Sequence, residues 1–410
     1  MEELKTYRLA DICNSIQTGP FGSQLHKSDY VEFGTPIVMP KDITNGKIND
    51  NNISRISKND VARLFKHKLV PGNIIYPRRG DISKCALITS KEDGWVCGTG
   101  CIKVDINQQI ANSTYVMYVL CQSETVNWIE SNAVGTTMLN LNTSILSDLP
   151  IKLPSLNTQK KLANIVSSFD KKIALNRRIN DNLEQQAQAL FKSWFVEKPN
   201  PQWTKGSLSD IASFVGGYSY KGDELVDSSN TGMATIKNYN RSGGFKTDGF
   251  KAINPSDKVK NAQYAELFEI LVAHTDLTQN AEVIGNAELV LSLGEYNKII
   301  FSMDLVKVLP SSSFPYRFLI AAMLKNKLFK GHCQGYVNGT TVLHLNKKAL
   351  PEYKVMIPTD TEAKKMNEIL GGYYKRMSEN LKESDMLEQL RDTILPKLMS
   401  GELKINDLNC

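Results

Sequence analysis

The stretch GTTMLNLNTSILSDLPIKLPSLNTQKKLANIVSSFDKKIALNRRINDNLEQQAQALFKSWFVE, residues 135–197, decides how this chain is organised. Shifted by 204 residues, it aligns without a gap on the segment that begins at Gly339, with 17 identities over 64 positions. An internal repeat has to be established first, because it fixes the architecture of the whole chain. The match predicts a duplicated unit.

Each copy runs from a short strand-like segment into a long helix. Ser155 and Thr359 follow aligned prolines, where a hydroxyl can accept hydrogen bonds from the free amides of a helix start. Glu362 lies three residues after Thr359, which is the spacing of a capping box. We therefore expect the helices to begin at these residues and the first to run to about Val196.

A proline and a glycine mark the end of the second helix. Pro396 has no amide hydrogen and its ring clashes with the preceding turn, so we expect this helix to end or kink near Leu395. Gly401 is then expected to stop it.

Both helices carry a heptad pattern, whose spacings of 4 and 3 residues keep one seam against a partner helix. The seam of the first helix consists of Leu162, Val166, Phe169, Ile173, Asn176, Asn180, Leu183, Ala187, Leu190 and Trp194. The seam of the second consists of Met366, Leu370, Tyr373, Met377, Asn380, Ser384, Leu387, Arg391, Ile394 and Leu398. The pattern indicates two equivalent helices that pack on each other antiparallel, although two unrelated core helices would also fit.

Asn176 and Asn380 fall at the same seam position. A lone polar residue in a seam fixes the register and the choice of partner at some cost in stability. This agreement favours the pairing of the two helices.

The composition is that of an ordinary globular protein. The 410 residues are 41% hydrophobic and 22% charged, with a net charge of +6 that permits a polyanionic partner. No run of about 18 apolar residues predicts a membrane span, and we expect no membrane partner. The seven cysteines form no even framework, which favours reduced thiols and a cytoplasmic location.

The remainder of the chain divides around the two helices. Short apolar segments between turn residues predict a mixed, strand-led unit over residues 1–152, and the same plan recurs more weakly over 198–357. The helices then occupy 153–197 and 358–410. The predicted fold class is α+β, with two mixed, strand-rich domains separated by a long antiparallel two-helix coiled coil in a pseudo-twofold repeat.

No catalytic or metal-binding constellation is recognisable. The sequence has no phosphate-binding Gly-x-x-x-x-Gly-Lys-Ser/Thr loop, no Gly-x-Gly-x-x-Gly after a strand, and no Asn-Pro-Pro-Tyr or Asp-Pro-Pro-Tyr segment for holding a flipped base. Cys97 and Cys101 lack a second Cys/His pair at zinc-finger spacing, which favours core thiols. We therefore predict no catalytic residues, no metal and no cofactor in this chain.

Readers of DNA need Arg, Lys, Asn or Gln side chains that reach base edges and phosphates. In the first domain the candidates lie in the Gly-rich loop after Thr18 and in the turn that follows Pro77; they are Ser23, Gln24, Arg78, Arg79 and Lys84. In the second domain they are Tyr218, Lys221, Lys237, Asn238, Arg241, Gln279 and Asn280. A solvated basic turn remains the alternative for the Arg pair. That corresponding loops differ chemically is the firmer inference.

The layout resembles the specificity subunit of type I restriction-modification enzymes. The resemblance rests on Gly135-Thr136-Thr137, Leu153-Pro154, the run QQAQALFKSWF from Gln185 to Phe195, and the run LRDTILPKLMSGEL that starts at Leu390. It implies a non-catalytic subunit that binds double-stranded DNA, each domain reading one half of a bipartite, asymmetric target. The helices would set the spacer and dock two methyltransferase subunits.

By the same resemblance, S-adenosylmethionine and ATP belong to partner subunits, and restriction subunits complete the full complex. Two readings from other classes remain open. One is the specificity half of a DNA methyltransferase or nuclease with its own unrecognised catalytic site, and the other is a scaffold without a DNA role.

Overall fold

The computed structural model describes residues 4–44, 46–135, 139–241, 243–278, 280–400 and 402–403. Its contacts group the chain into two compact units. The first consists of Met1–Lys171 with Glu388–Cys410, and the second of Lys172–Leu387. Each unit therefore contains part of both long helices. The division predicted from the sequence, with boundaries at 152, 197 and 357, treats the helices as segments separate from the two domains, and it stays a prediction.

The first unit is rich in short strands. Its strands are β1 Lys5–Arg8, β2 Cys13–Thr18, β3 Tyr30–Val31, β4 Thr35–Val38, β5 Arg55–Ile56, β6 Asn73–Pro77, β7 Ala86–Leu87, β8 Val96–Cys97, β9 Cys101–Ile106 and β10 Pro150–Leu153. Its short helices are α1 Lys58–Arg63, α2 Ser113–Leu120, α3 Ser123–Asn132 and α4 Thr143–Asp148. Single 3-10 turns, such as Leu9–Ile12 and Pro40–Asp42, link several of them.

Two four-stranded sheets form the body of this unit. One has the order β2-β9-β6-β7 and is antiparallel throughout; the other has the order β3-β5-β4-β8 and contains the parallel pair β4·β8. The β-branched and aliphatic residues of β6 and β9 face a core that α2 and α4 cover. Strands β1 and β10 pair separately and bring both ends of the domain together.

The second unit repeats this plan. Its strands are β11 Thr204–Ser207, β12 Ala212–Gly216, β13 Thr231–Ala234, β14 Lys251–Ala252, β15 Tyr264–Ala265, β16 Ile270–Ala273, β17 Thr275–Asp276, β18 Ala287–Leu289, β19 Lys298–Phe301, β20 Leu305–Pro310, β21 Val337–Asn338, β22 Leu343–Leu345 and β23 Lys354–Ile357. Its short helices are α6 Leu208–Ile211, α7 Arg317–Leu324, α8 Lys327–Gln334 and α9 Ala349–Glu352.

The sheet orders confirm the repeat. The order β12-β20-β16-β18 matches β2-β9-β6-β7, and a parallel pair, β13·β19, again lies in the second sheet. Strands β11 and β23 pair as β1 and β10 do. The mixed α+β class is confirmed.

The long helices are α5, Leu156–Phe191, which continues in wider π-helical turns over Lys192–Glu197, and α10, Asp360–Ser400. The predicted starts are confirmed. Ser155 Oγ accepts the Thr158 amide at 3.4 Å, and Glu362 Oε2 accepts the Thr359 amide at 3.3 Å.

Helix α10 does not end near Leu395, because it continues through Pro396 to Ser400, and the alternative that we expected there, a kink, stays a prediction. Leu395 and Leu398 are buried in the core of the first unit, and this packing holds the last turns despite the hydrogen bond that proline removes. Gly401, the predicted stop, lies outside the described residues, as do Thr136 and Thr137.

The helices of the second unit are antiparallel. Asn176 Nδ2 donates to the Asn380 carbonyl at 3.3 Å, and Asn180 Nδ2 donates to the Met377 carbonyl at 3.1 Å, so positions rise on α5 as they fall on α10. Asn380 Nδ2 donates to Asn180 Oδ1 at 2.8 Å. The asparagines at the shared seam position therefore form one buried polar layer, as expected.

Candidate nucleic-acid interface

The predicted arginine pair of the first unit lies where β6 ends. The Arg78 amide donates to the Gly100 carbonyl at 2.7 Å, and the Arg78 carbonyl accepts the Leu141 amide at 2.8 Å. The main chain is thus held from both sides, Arg78 is half-buried, and Arg79 is exposed. Among the described residues neither guanidinium has an ion-pair partner, so both charges can take an anionic ligand.

Lys84, in the same turn, differs from the arginines. Its ammonium lies 2.6 Å from Asp81 Oδ2, and this contact together with Ser83 holds the pKa of the Asp81 carboxyl below its usual range. Lys84 is therefore partly neutralised. Its predicted contact with DNA stays a prediction.

The Gly-rich loop packs against the segment 97–101, which also binds the Arg78 amide, because two glycines permit a close approach. A Cβ on Gly19 would stand 2.0 Å from the Gly98 carbonyl oxygen, which no side chain could tolerate. Ser23 and Gln24 are exposed at the loop tip. Gln24 Oε1 accepts the Phe21 amide at 3.1 Å, so this side chain also shapes the loop that carries it.

The second unit builds the same frame with other side chains. The His274 amide donates to the Asp304 carbonyl at 2.8 Å, and the His274 carbonyl accepts the Leu345 amide at 2.8 Å. His274 thus occupies the place of Arg78, and Thr275, which is buried, that of Arg79. Burial lowers the pKa of His274, so the histidine is neutral where the first unit has a permanent cation.

Three cations of the second unit lie instead around a recess of about 430 Å³. Lys237, Arg241 and Lys246 line it together with Leu277 and Asp248. The recess joins segments 236–249 and 276–283, which are distant in sequence. Arg241 is 73% exposed, and its Nε lies 2.9 Å from Glu282 Oε2.

Asp276 binds main-chain amides of its own segment, 276–283. Its carboxylate accepts the Thr278 amide at 2.8 Å and the Val283 amide at 2.7 Å. Burial would raise the pKa of Asp276, but these bonds to the charged form outweigh it and lower the pKa. Asp276 therefore ties Thr278 and Val283 to one point.

Two of the predicted DNA-contacting side chains are not at the surface. Asn238 is 0% exposed; its Oδ1 accepts the Thr235 amide at 2.8 Å and its Nδ2 donates to the Lys246 carbonyl at 2.7 Å. Tyr218 is 4% exposed, and its hydroxyl donates to Glu224 at 3.1 Å. The prediction of direct contacts needs correction here, because both side chains satisfy their polar groups inside the fold.

The other predicted residues of the second unit differ in their exposure and in whether the structure describes them. Lys221, Lys237 and Asn280 are exposed, and Gln279 lies outside the described residues. Lys246 and Leu277 line the recess but were not predicted. No sequence signal marked Leu277. Lys246, in contrast, follows shortly after the predicted residues Lys237, Asn238 and Arg241, which pointed to this region.

Neither a membrane span nor a metal cluster is present in the part of the chain that the structure describes. Within these ranges, no helix is long and apolar enough to cross a membrane. The same residues form no cluster of three or more His, Cys, Asp or Glu side chains that could bind a metal ion.

A duplicated α+β unit that keeps its main-chain frame and changes its exposed polar loops defines a class, that of two-domain recognition proteins. The family model of the type I restriction modification DNA specificity domain matches residues 1–185 and again 200–389. The chain belongs to this family, as the sequence resemblance indicated, and it is a DNA-recognition subunit.

Individual relatives agree. The HindI specificity subunit of Haemophilus influenzae is 28% identical over 214 residues, a match that covers 51% of this chain and 44% of that subunit. The MjaIX specificity subunit of Methanocaldococcus jannaschii is 23% identical over 406 residues, covering 91% and 88%. The crystal structure of the type I S subunit from M. genitalium shares the fold, with a TM-score of 0.58 at 19% identity over 97% of this chain and 96% of that chain.

Proposed function

We propose that each unit reads one half of a bipartite, asymmetric DNA target for a type I restriction-modification complex. The observation that carries this proposal is the replacement of Arg78 and Arg79 by His274 and Thr275 on one hydrogen-bonded frame. The first unit then reads through the arginine turn and the Gly-rich loop, and the second through the recess with Lys237 and Arg241. Two differently charged readers on one frame imply two different half-sites.

The arginine turn has the properties of a base reader. A guanidinium that bonds guanine O6 and N7 typically contributes about 1 to 3 kcal/mol of discrimination. The buried Nε of Arg78 has no hydrogen-bond partner among the described residues. A buried donor without a partner costs free energy, which an incoming acceptor would recover.

The test is the methylation motif of cells that express this chain with its methyltransferase subunits. Replacing Arg78 and Arg79 by alanine should relax one half of the motif, by about 5- to 150-fold per lost contact, and leave the other half intact. The matched control is Arg63→Ala, because Arg63 is already bound by Asp60 at 2.7 Å and Asp29 at 3.3 Å.

Each outcome has one meaning. A relaxed half-site in the double variant but not in Arg63→Ala supports base reading. An unchanged motif with weaker binding and a shallower salt dependence would make the two arginines phosphate contacts, since only those are blind to sequence. An unchanged motif with unchanged binding would show a solvated turn.

The proposal extends to the complex. The chain is non-catalytic, the two helices dock two methyltransferase subunits and set the spacer, and restriction subunits join the assembly. S-adenosylmethionine and ATP act in these partners, in the cytoplasm. The support is the family membership of the chain and the paired, capped helices; the reading as an enzyme with its own catalytic site has no residue set behind it.

A further inference from the structure

The turn that carries Arg241 is docked on the segment 282–288, which runs into strand β18. Two carboxylates and one amide side chain of this segment each bind a different residue of the turn. The contacts are Glu282 Oε2 with Arg241 Nε at 2.9 Å, Asn286 Nδ2 with the Asn240 carbonyl at 3.3 Å, and Glu288 Oε1 with the Gly244 amide at 2.6 Å. The shape of the recess depends on this docking.

Glu288 is the deepest of these three side chains and connects the turn to the helices. Its second oxygen accepts a hydrogen bond from Lys325. The same ammonium lies 3.2 Å from Glu184 Oε2 on α5. The side chains of Lys325 and Glu288 are each 7% exposed, and that of Glu184 is 20% exposed.

Charge keeps this cluster together. Burial disfavours the ammonium of Lys325, but the two carboxylates outweigh it and raise the pKa of Lys325 above its ordinary value. The Tyr374 ring of α10 lies 5.8 Å from the same nitrogen. A single cation thus joins α5, β18 and the end of α7.

We infer that Glu288 is a positioning residue for DNA recognition: anchored by Lys325, it holds the Gly244 amide and so sets the turn from which Arg241 and Lys246 face the recess. This inference rests on the proposed function of the recess. Glu184 binds the same lysine, and within the described ranges its contacts are with Lys325 and Gln188 and not with the turn, so it is the matched control.

The variants separate positioning from general support. Glu288→Met removes both contacts at nearly constant length, whereas Glu288→Gln keeps an oxygen for the Gly244 amide while Lys325 retains Glu184. Glu184→Gln weakens the buried cluster and leaves the turn untouched. Each variant is made in the full chain and studied with its methyltransferase subunits.

The first measurement is amide hydrogen exchange in residues 240–246 of the complex without DNA. We expect it to accelerate by about 10- to 100-fold in Glu288→Met and to stay close to wild type in Glu288→Gln and Glu184→Gln. The second is the methylation motif, in which Glu288→Met should relax the half-site that Arg241→Ala relaxes and leave the other half unchanged.

Unchanged exchange in Glu288→Met would overturn the inference, whatever the motif does. Faster exchange with an unchanged motif would also overturn it, and an equally unchanged motif in Arg241→Ala would show that the proposed function of the recess had failed. Equal relaxation in Glu184→Gln and Glu288→Met would reduce Glu288 to structural support. Should Glu288→Met not fold, the charge-balanced double variant Glu288→Met/Lys325→Met serves the same measurements.

Discussion

Replacing Arg391 by methionine should loosen the first unit although it preserves most of the apolar stem. Arg391 occupies a seam position of α10, where the heptad pattern calls for an apolar side chain. Its Nη1 lies 2.7 Å from Asp170 Oδ1 on α5, and Tyr118 of α2 donates to the other Asp170 oxygen at 2.5 Å. The ion pair therefore joins three helices of one unit.

The magnitude follows from burial. The side chains of Arg391 and Asp170 are 26% and 22% exposed, between a surface pair worth about 0–1 kcal/mol and a buried pair whose disruption costs about 3–5 kcal/mol. Charges about 4 Å apart attract by roughly 4 kcal/mol at an effective dielectric constant of 20. Ordering the arginine costs up to about 2 kcal/mol, and the partial desolvation of the two charges offsets a further part of the attraction, so we expect a net loss of about 1–2 kcal/mol.

Amide hydrogen exchange measures this loss where it occurs, because it reports local opening segment by segment. Peptides from α2 and from residues 160–171 should exchange about 5- to 30-fold faster in Arg391→Met, while peptides of the second unit stay unchanged. Arg376→Met is the control, since its pair with Glu379 at 3.2 Å is exposed and should contribute almost nothing.

A double-mutant cycle completes the test. If Asp170→Asn costs as much in the Arg391→Met background as it does alone, the two charges are uncoupled and the reasoning is wrong. Wild-type exchange in Arg391→Met itself would refute the reasoning equally. Asp392, which also contacts the guanidinium at 2.8 Å, is largely exposed and is not expected to compensate.

Two further predictions concern the second unit and the chain as a whole. Hydrogen bonds from Thr359, Asn200 and Trp203 lower the pKa of Glu362 to about 2. The stabilisation from these bonds is complete above the unfolded pKa of 4.5 and is lost as pH falls towards 2. Glu362→Gln should therefore lower the free energy of unfolding, measured with urea, by roughly 1 kcal/mol at pH 7. Below pH 4.5 the free energy of unfolding of this variant should depend less on pH than that of the wild type. The purified chain should transfer no radiolabelled methyl group to DNA; incorporation above a no-protein blank would restore the enzyme reading.

The sequence was most informative about the long helices and the repeat. Heptad spacing is a local signal that accumulates over about forty residues, and none of the predicted seam positions is exposed. Pro396 did not end α10, because the packing of the last turns compensates for the hydrogen bond that the proline removes. Leu395 and Leu398 beside it are buried, and Leu395 lies outside the predicted seam, so the heptad pattern did not mark its burial.

The site was harder to predict, since one residue type serves two purposes. An asparagine can read adenine or close a turn, and Asn238 closes a turn through the Thr235 amide. The same contact recurs in the first unit, where Asp42 accepts the Met39 amide at 2.9 Å with the same spacing. The recess itself joins distant segments, so no stretch of sequence could outline it.

The repeated frame explains how two such readers can diverge without loss of folding. The bonds that hold Arg78 and His274 link main-chain atoms alone, and they are the same in both units. A second fixed point is the glycine contact, where a Cβ on Gly217 would stand 1.9 Å from the Ser302 carbonyl, as one on Gly19 would clash with Gly98. Because neither feature uses the side chain at this position, a change from arginine to histidine alters the charge there while the main-chain bonds stay the same. Under the proposed function, each half of the target can therefore change independently of the other.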